Sequence, residues 1–318
     1  MGEFDLIDRY FKRPALRHPL GVGDDCALLG LAPGMQLAVS CDMLVEGRHF
    51  LSTIDPRKLG HESMAVNLSD RGACGVEPLA FTLALALPQA DDAWLEPFSR
   101  GLLALAEQHG CELVGGDTTR GPLNICVTVF GQVPPGEALL RSGARAGDDI
   151  YVSGTLGDAR LALEAFRGTV SLPQEVLEAA RARLETPAPR VALGRALRGV
   201  ASAAIDISDG LAGDLCHVLQ QSRVGATLDA DLLPALMAAP PSAVPREQRL
   251  ECVLAGGDDY ELLFTAAPAQ AGMVAAAAAG AGIPVTRIGR IEPEPGLRLV
   301  DAGGRPVAQR YASFDHFA

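Results

Sequence analysis

AAIDISDGLAGDL, residues 203–215, joins a buried-strand pattern to a helical one through a short polar junction. Ala203 to Ile207 reads as a strand, and Leu211, Leu215, Val218 and Leu219 recur at helical spacing. Ser208 is placed to cap that helix. The junction carries Asp206 and Asp209. Burying an unpaired carboxylate is expensive, so such a place calls for a cation or strong hydrogen bonds. Taken alone, Asp209 also suits an ordinary helix N-terminus.

The pattern recurs. GVGDDCALL carries Asp24 and Asp25, and LAVSCDML carries Asp42. MAVNLSDRG carries Asp70, LVGGDTTRG carries Asp117, and VLAGGDDYELLF carries Asp258 and Asp259. In most of these the acid sits beside small residues where an apolar run ends. Two carboxylates ~4 Å apart repel by ~4 kcal/mol at an effective dielectric near 20. A divalent cation removes that cost. Calcium loops follow D-x-[DN]-x-[DN]-G with a later Glu, and none is present. Zinc calls for closely spaced histidines or cysteines. Dispersed aspartates instead suit several Mg²⁺ ions that share their shells with phosphate oxygens. The paired glycines of VGGDTTRG and LAGGDD allow close backbone approach to such a ligand. Arg120 and Arg141 offer bidentate contacts to phosphate, or are simply solvated arginines.

Composition narrows the field. The 318 residues suffice for two domains, and 48% hydrophobic with 21% charged is a globular mixture. A formal net charge of -12 argues against nucleic acid as a partner. The only lysines are Lys12 and Lys58, and neither stands in a P-loop or a protein-kinase V-A-I-K context. Seven cysteines lie scattered with no C-x-x-C pair, which predicts a reducing cytoplasm and neither a zinc nor a redox motif. The N-terminal stretch lacks the shape of a signal peptide. The apolar run PLAFTLALALP is too short to span a bilayer, so no membrane partner is expected.

Along the chain, Phe4, Ile7 and Phe11 predict a helix over 3–12, and Met35 to Ser40 a strand running into Asp42. Asp55 and Pro56 open a helix that reaches about Ala73 and puts Asn67 and Asp70 on one face. Leu79 to Leu87, Glu112 to Val114 and Asn124 to Val133 read as strands, and Asp92 to His109 as a helix. A turn-rich stretch from Gly136 to Asp148 marks a domain boundary. Beyond it Ile150 to Ser153 reads as a strand, and Asp158 to Phe166 and Val191 to Leu197 as helices. The expected division is 1–138 and 139–318, two α/β (α+β) halves.

The ordered set GEFDLIDRYF, GVGDDCALL, NLSD, GGDTTRG, RSGA, IDISDGL, GGDDYELLF and the closing FDHF resembles the thiamine-monophosphate kinase family, over nearly the whole chain. GGDTTRG and ISDG are specific in combination. The resemblance implies a two-domain aminoimidazole ribonucleotide synthetase-like fold whose N-terminal domains pair across a homodimer. It implies ATP and thiamine monophosphate as substrates, thiamine diphosphate and ADP as products, and several Mg²⁺ ions. The N-terminal domain would bind ATP and Mg²⁺ and make the dimer, and the C-terminal domain would complete the active site. No enzyme nucleophile is expected, because the substrate's own phosphate would attack.

By motif matching, the resemblance puts Asp25, Ser40, Cys41, Asp42, Asp70, Asp117, Asp206 and Asp209 on metal-binding positions. Gly116, Asp117, Arg141 and Ser208 fall on ATP-binding positions, and His49, Asp258 and Phe314 on substrate-binding ones. Three places depart from the family pattern. Cys41 stands where threonine is frequent, which leaves a carbonyl but no hydroxyl for a metal. Met43 replaces a smaller or hydroxylated residue. Asp258 stands where glutamate is common, one methylene short. The alternatives are another ATP-using enzyme of the same fold group, such as one resembling selenophosphate synthetase, and an ATP–Mg²⁺ sensor without turnover.

Overall fold

The computed structural model describes residues 2–307. The chain divides into two compact units, residues 1–71 with 76–136, and residues 72–75 with 137–318.

The first unit opens with α1 (Glu3–Leu6), which continues as a π-helical turn over Ile7–Phe11. The single helix predicted over 3–12 is therefore two short pieces. Then come β1 (Gln36–Val45), α2 (Pro56–Ala73), β2 (Glu77–Leu87), α3 (Asp92–Gln108), β3 (Glu112–Arg120) and β4 (Asn124–Val133). The strands form one sheet in the order β1-β4-β2-β3. All pairs are antiparallel except β2 with β3. Alternation explains the faces. Ile125, Val127 and Val129 are buried, as are Leu83 and Leu85 on β2, while the residues between them are less covered. Leu59, Met64 and Leu68 of α2 and Leu95, Phe98 and Leu102 of α3 complete the core. The two helices touch backbone to backbone. A Cβ on Gly60 would meet the carbonyl of Phe98, and one on Gly101 the carbonyl of Arg57.

Two strands outrun their predicted ends. β1 continues past Ser40 to Val45, so Ser40, Cys41 and Asp42 lie in mid-strand. β3 continues past Val114 to Arg120, so GGDTTR is strand and not turn. The cause is pairing. Thr118 to Arg120 lie alongside Leu85 to Leu87 of β2, and register outweighs the turn preference of Gly-Gly-Asp.

The second unit contains β5 (Asp149–Ser153), α4 (Asp158–Phe166), α5 (Gln174–Glu185), α6 (Val191–Ala196), β6 (Ala203–Asp206) and α7 (Leu211–Ser222). It ends with β7 (Gly225–Asp229), α8 (Arg246–Ala255), β8 (Leu262–Ala266), α9 (Ala271–Ala281), β9 (Val285–Glu292) and β10 (Gly296–Val300). Its six-stranded sheet has the order β10-β7-β9-β5-β8-β6, and only β10 with β7 runs parallel. Ile150, Val152, Ile205, Leu215 and Leu263 belong to the larger core, and Tyr151, Phe264, Leu193 and Val274 to a second one. The apolar run that precedes GGDD, Val253–Ala255, is the end of α8. Among the described residues no helix is long and apolar enough to cross a membrane.

Candidate functional site

In the first unit the site begins with the two faces of β1. Ala38, Ser40 and Asp42 are half-buried, whereas Leu37, Val39, Cys41 and Met43 point the other way and are exposed. The strand period therefore separates Cys41 from Ser40 and Asp42. The Cys41 Sγ lies 3.3 Å from Cys126 Sγ and accepts from Thr128 Oγ1 at 3.3 Å, on the exposed face.

On the other face α2 supplies the partners. Asn67, Asp70 and Arg71 share one side of the helix by their spacing. Asn67 is fully buried; its Oδ1 accepts the backbone N–H of Asp42 at 3.3 Å, and its Nδ2 donates to the carbonyl of Ser63 at 3.0 Å. Burial pushes the Asp42 carboxyl up to about 6; the charge of Asp70 pushes the same way, and Arg71 opposes it. The buried Ser40 hydroxyl has no hydrogen-bond partner. Two carboxylates whose charges repel, with the unpartnered Ser40 hydroxyl on the same face of β1 as Asp42, are hard-oxygen donors, the chemistry that suits Mg²⁺.

The other first-unit residues are placed as follows. Asp25 is exposed in a bend, where its N–H donates to Asp24 Oδ1 at 2.8 Å. Asp117 is exposed on β3, opposite Ala84 of β2. Gly116 has φ 149°, and a Cβ there would strike the backbone of Leu83. Close packing of β2 thus already requires that glycine, without any phosphate. His49 lies in the turn after β1, where its Nδ1 accepts the N–H of Val45 at 3.0 Å. That bond places the ring proton of the neutral imidazole on Nε2.

In the second unit β6 ends on buried Asp206, and Ile207 to Gly210 lead into α7. Ser208 does not cap the helix. The N-cap is Gly210, with φ 115° and no side-chain cap bond. The service comes from inside the helix. Asp214 Oδ2 accepts the N–H groups of Ser208, Asp209 and Gly210, each at 3.1 Å. Burial lifts this carboxyl to about 7 even against the three donors. The sequence signal for Asp214 is its position four residues after Gly210 in DGLAGD.

Asp258 lies across from that junction, its N–H on the Ser208 carbonyl at 2.9 Å. Burial raises its carboxyl to about 6, and the charge of Asp209 adds to the shift. Arg141 is exposed, and its carbonyl accepts from Ser222 Oγ at 3.2 Å. Phe314 lies outside the described residues. The structure thus groups Ser40, Asp42 and Asp70 in one unit and Ser208, Asp209 and Asp258 in the other. Among the described residues there is no cluster of three or more His, Cys, Asp or Glu side chains of metal-binding geometry.

Residues 23–133 match the N-terminal domain of AIR synthase related proteins, and residues 145–302 match their C-terminal domain. Thiamine-monophosphate kinase of Salmonella typhimurium is 45% identical over 325 residues, 100% of this chain and 98% of that protein. The crystal structure of thiamine-monophosphate kinase from Stenotrophomonas maltophilia K279a is similar at 44% identity and a TM-score of 0.85, over 96% of each chain. AaThiL complexed with AMPPCP and TMP is similar at 29% identity and a TM-score of 0.76, over 99% of this chain and 96% of that one.

Proposed function

Because the chain belongs to the thiamine-monophosphate kinase family, we infer that it transfers the γ-phosphoryl group of ATP to thiamine phosphate. The products are ADP and thiamine diphosphate. A phosphate oxygen of the substrate attacks the γ-phosphorus in line, the new P–O bond forms, and the bond to the β-phosphate oxygen breaks. No protein nucleophile enters, so the work of the chain is positioning and charge balance.

The observation that carries the metal half of this reading is the repelling Asp42–Asp70 pair, with the unpartnered Ser40 hydroxyl on Asp42's face of β1. We propose that Ser40, Asp42 and Asp70, with Asp25 and Asp117, are Mg²⁺ ligands of the first unit, and that Asp206 and Asp209 are Mg²⁺ ligands of the second. The Cys41 thiol is left out of that set because it faces Cys126. Bound Mg²⁺ would offset the charge of the meeting phosphates. Gly116, Asp117, Arg141 and Ser208 are the proposed ATP contacts. His49, Asp258 and Phe314 are the proposed contacts to thiamine phosphate. His49 would offer Nε2–H as a donor, and the Asp258 carboxylate suits a cationic ring system.

The homodimer is also a proposal. Leu37, Val39 and Met43 are 49%, 53% and 54% exposed along one face of β1, a strand at the edge of its sheet. An exposed apolar row on an edge strand is a surface that folded proteins cover.

The test is incubation of the purified protein with ATP, Mg²⁺ and thiamine monophosphate, with chromatography for thiamine diphosphate. Stoichiometric ADP and thiamine diphosphate are expected, and omission of Mg²⁺ should abolish both. ATP bound but never consumed would favour a sensor. ATP consumed without thiamine diphosphate would favour another acceptor.

A further inference from the structure

The segment Gly256–Glu261 joins α8 to β8 with a backbone that side chains normally avoid. Asp258 has φ 65° and Tyr260 φ 50°. The third described non-glycine residue with positive φ, Arg223, merely closes α7. Such conformations persist where the surroundings over-determine them.

Three backbone bonds do part of that work. The β6–β8 ladder ends with Asp206 opposite Leu262, yet its rungs continue beyond the strands. The Ile207 N–H donates to the Glu261 carbonyl at 2.8 Å, and the Tyr260 N–H to the Ile207 carbonyl at 2.8 Å. The Asp258 N–H then donates to the Ser208 carbonyl at 2.9 Å. Buried Asp259 fixes the middle of the turn by accepting the Gly157 N–H at 2.9 Å and 3.0 Å.

At the base of the turn is Glu261, whose side chain is fully buried. Its carboxylate receives Arg183 at 2.7 Å, Arg190 Nε at 2.6 Å and Ser153 Oγ at 2.5 Å. Arg183 reaches further, to the carbonyls of Thr155 at 3.2 Å and Asp259 at 3.4 Å. The Ser153 hydroxyl in turn receives the Leu262 N–H at 2.8 Å. Gly154, with φ 56°, leaves no room for a side chain beside the carboxylate. One buried acid therefore ties together the end of β5, α5, the start of α6 and the start of β8. A buried ion cluster is a poor way to gain stability, because apolar residues of equal volume often do as well. What it supplies here is a fixed geometry at the foot of a strained turn.

We propose that Glu261 is a positioning residue: by bridging Arg183 and Arg190 it holds the Gly257–Tyr260 turn and so sets Asp258 beside Ser208 and Asp209. The proposal rests on the reading of Asp258 as a contact to thiamine phosphate. It assigns Glu261, Arg183 and Arg190 no contact with either substrate.

Glu261→Gln keeps the shape and removes the charge that gathers the two arginines. Hydrogen exchange of the unliganded protein, read by mass spectrometry, should show residues 257–261 exchanging about ten-fold faster or more, with β2 and β4 unchanged. In turnover, KM for thiamine phosphate should rise about ten-fold while KM for ATP moves less than about two-fold. In an Asp258→Ala background the same substitution should change KM for thiamine phosphate by less than about two-fold, because the residue it acts through is gone. Arg190→Gln should give the same pattern and serves if Glu261→Gln does not fold. Unchanged exchange at 257–261, or full additivity with Asp258→Ala, would overturn the proposal. A wild-type protein that makes no thiamine diphosphate would instead overturn the reading of Asp258, and the exchange arm would still judge the positioning.

Discussion

One carboxylate oxygen of Asp214 accepts the backbone N–H of Asp209 at 3.1 Å, from one turn inside the helix that Asp209 precedes. The N–H groups of Ser208 and Gly210 converge on the same oxygen. The junction that carries the proposed ligands is thus shaped by an acid outside it. Asp214→Ala strands the buried N–H of Gly210 and the half-buried N–H groups of Ser208 and Asp209, and is expected to cost about 1–2 kcal/mol. Urea unfolding would measure this. A variant as stable as wild type would mean that the three bonds contribute nothing to the junction.

That relationship also marks how far the sequence could be read. AAIDISDGL announces a strand, a polar junction and a helix, and all three are there. Ser208 has the type and position of a capping residue, but Asp214 takes the role by reaching back from within the helix. β1 and β3 outrun their local sequence signals for a similar reason. Ser40, Asp42 and the two glycines before Asp117 have weak strand propensity, and only pairing with β4 and β2 carries the strands through them. The site was legible as a list of acids and not as faces. Nothing local in SCD says that the thiol opposes the two oxygen donors until β1 is known to continue through all three residues.

The Asp42–Asp70 pair gives a prediction with opposite signs for stability and function. Asp70 adds to the burial that lifts Asp42 to about 6, so its charge is a cost in the metal-free fold. Asp70→Asn should leave the metal-free protein as stable as wild type, or more stable by about 0.5–1 kcal/mol. The rise in Tm on adding Mg²⁺ with ATP should shrink, since a ligand stabilises only the state that binds it. Turnover should fall by orders of magnitude. An undiminished Mg²⁺-dependent Tm shift would remove Asp70 from the ligand set.

The cysteines separate by environment. Burial pushes the Cys111 and Cys252 thiols up to about 12, so neither offers thiolate near pH 8, whereas Cys26 is exposed. Alkylation at pH 8 followed by peptide mass mapping should label Cys26 and leave Cys111 and Cys252 intact until denaturant is added. Equal labelling of all three in the native protein would contradict the burial of both cores.

The exposed row on β1 decides the last prediction. Leu37, Val39 and Met43 alternate with half-buried Ala38, Ser40 and Asp42, so a charge can be placed on the open face without touching the other. Val39 lies opposite Phe130 of β4, near the middle of that face. If a second copy covers the row, Val39→Lys buries an ammonium at the contact, and the penalty for an unpaired buried charge far exceeds the loss of one apolar side chain. Sedimentation equilibrium should then report a dimer for the wild type and a monomer for Val39→Lys. The unfolding midpoint of the variant should change little in the monomeric range, because residue 39 is exposed within its own unit. The Cys41 thiol, on the same face, should alkylate faster in the variant than in wild type. A wild type that sediments as a monomer, or a variant that remains a dimer, would mean that this face is not where two copies meet.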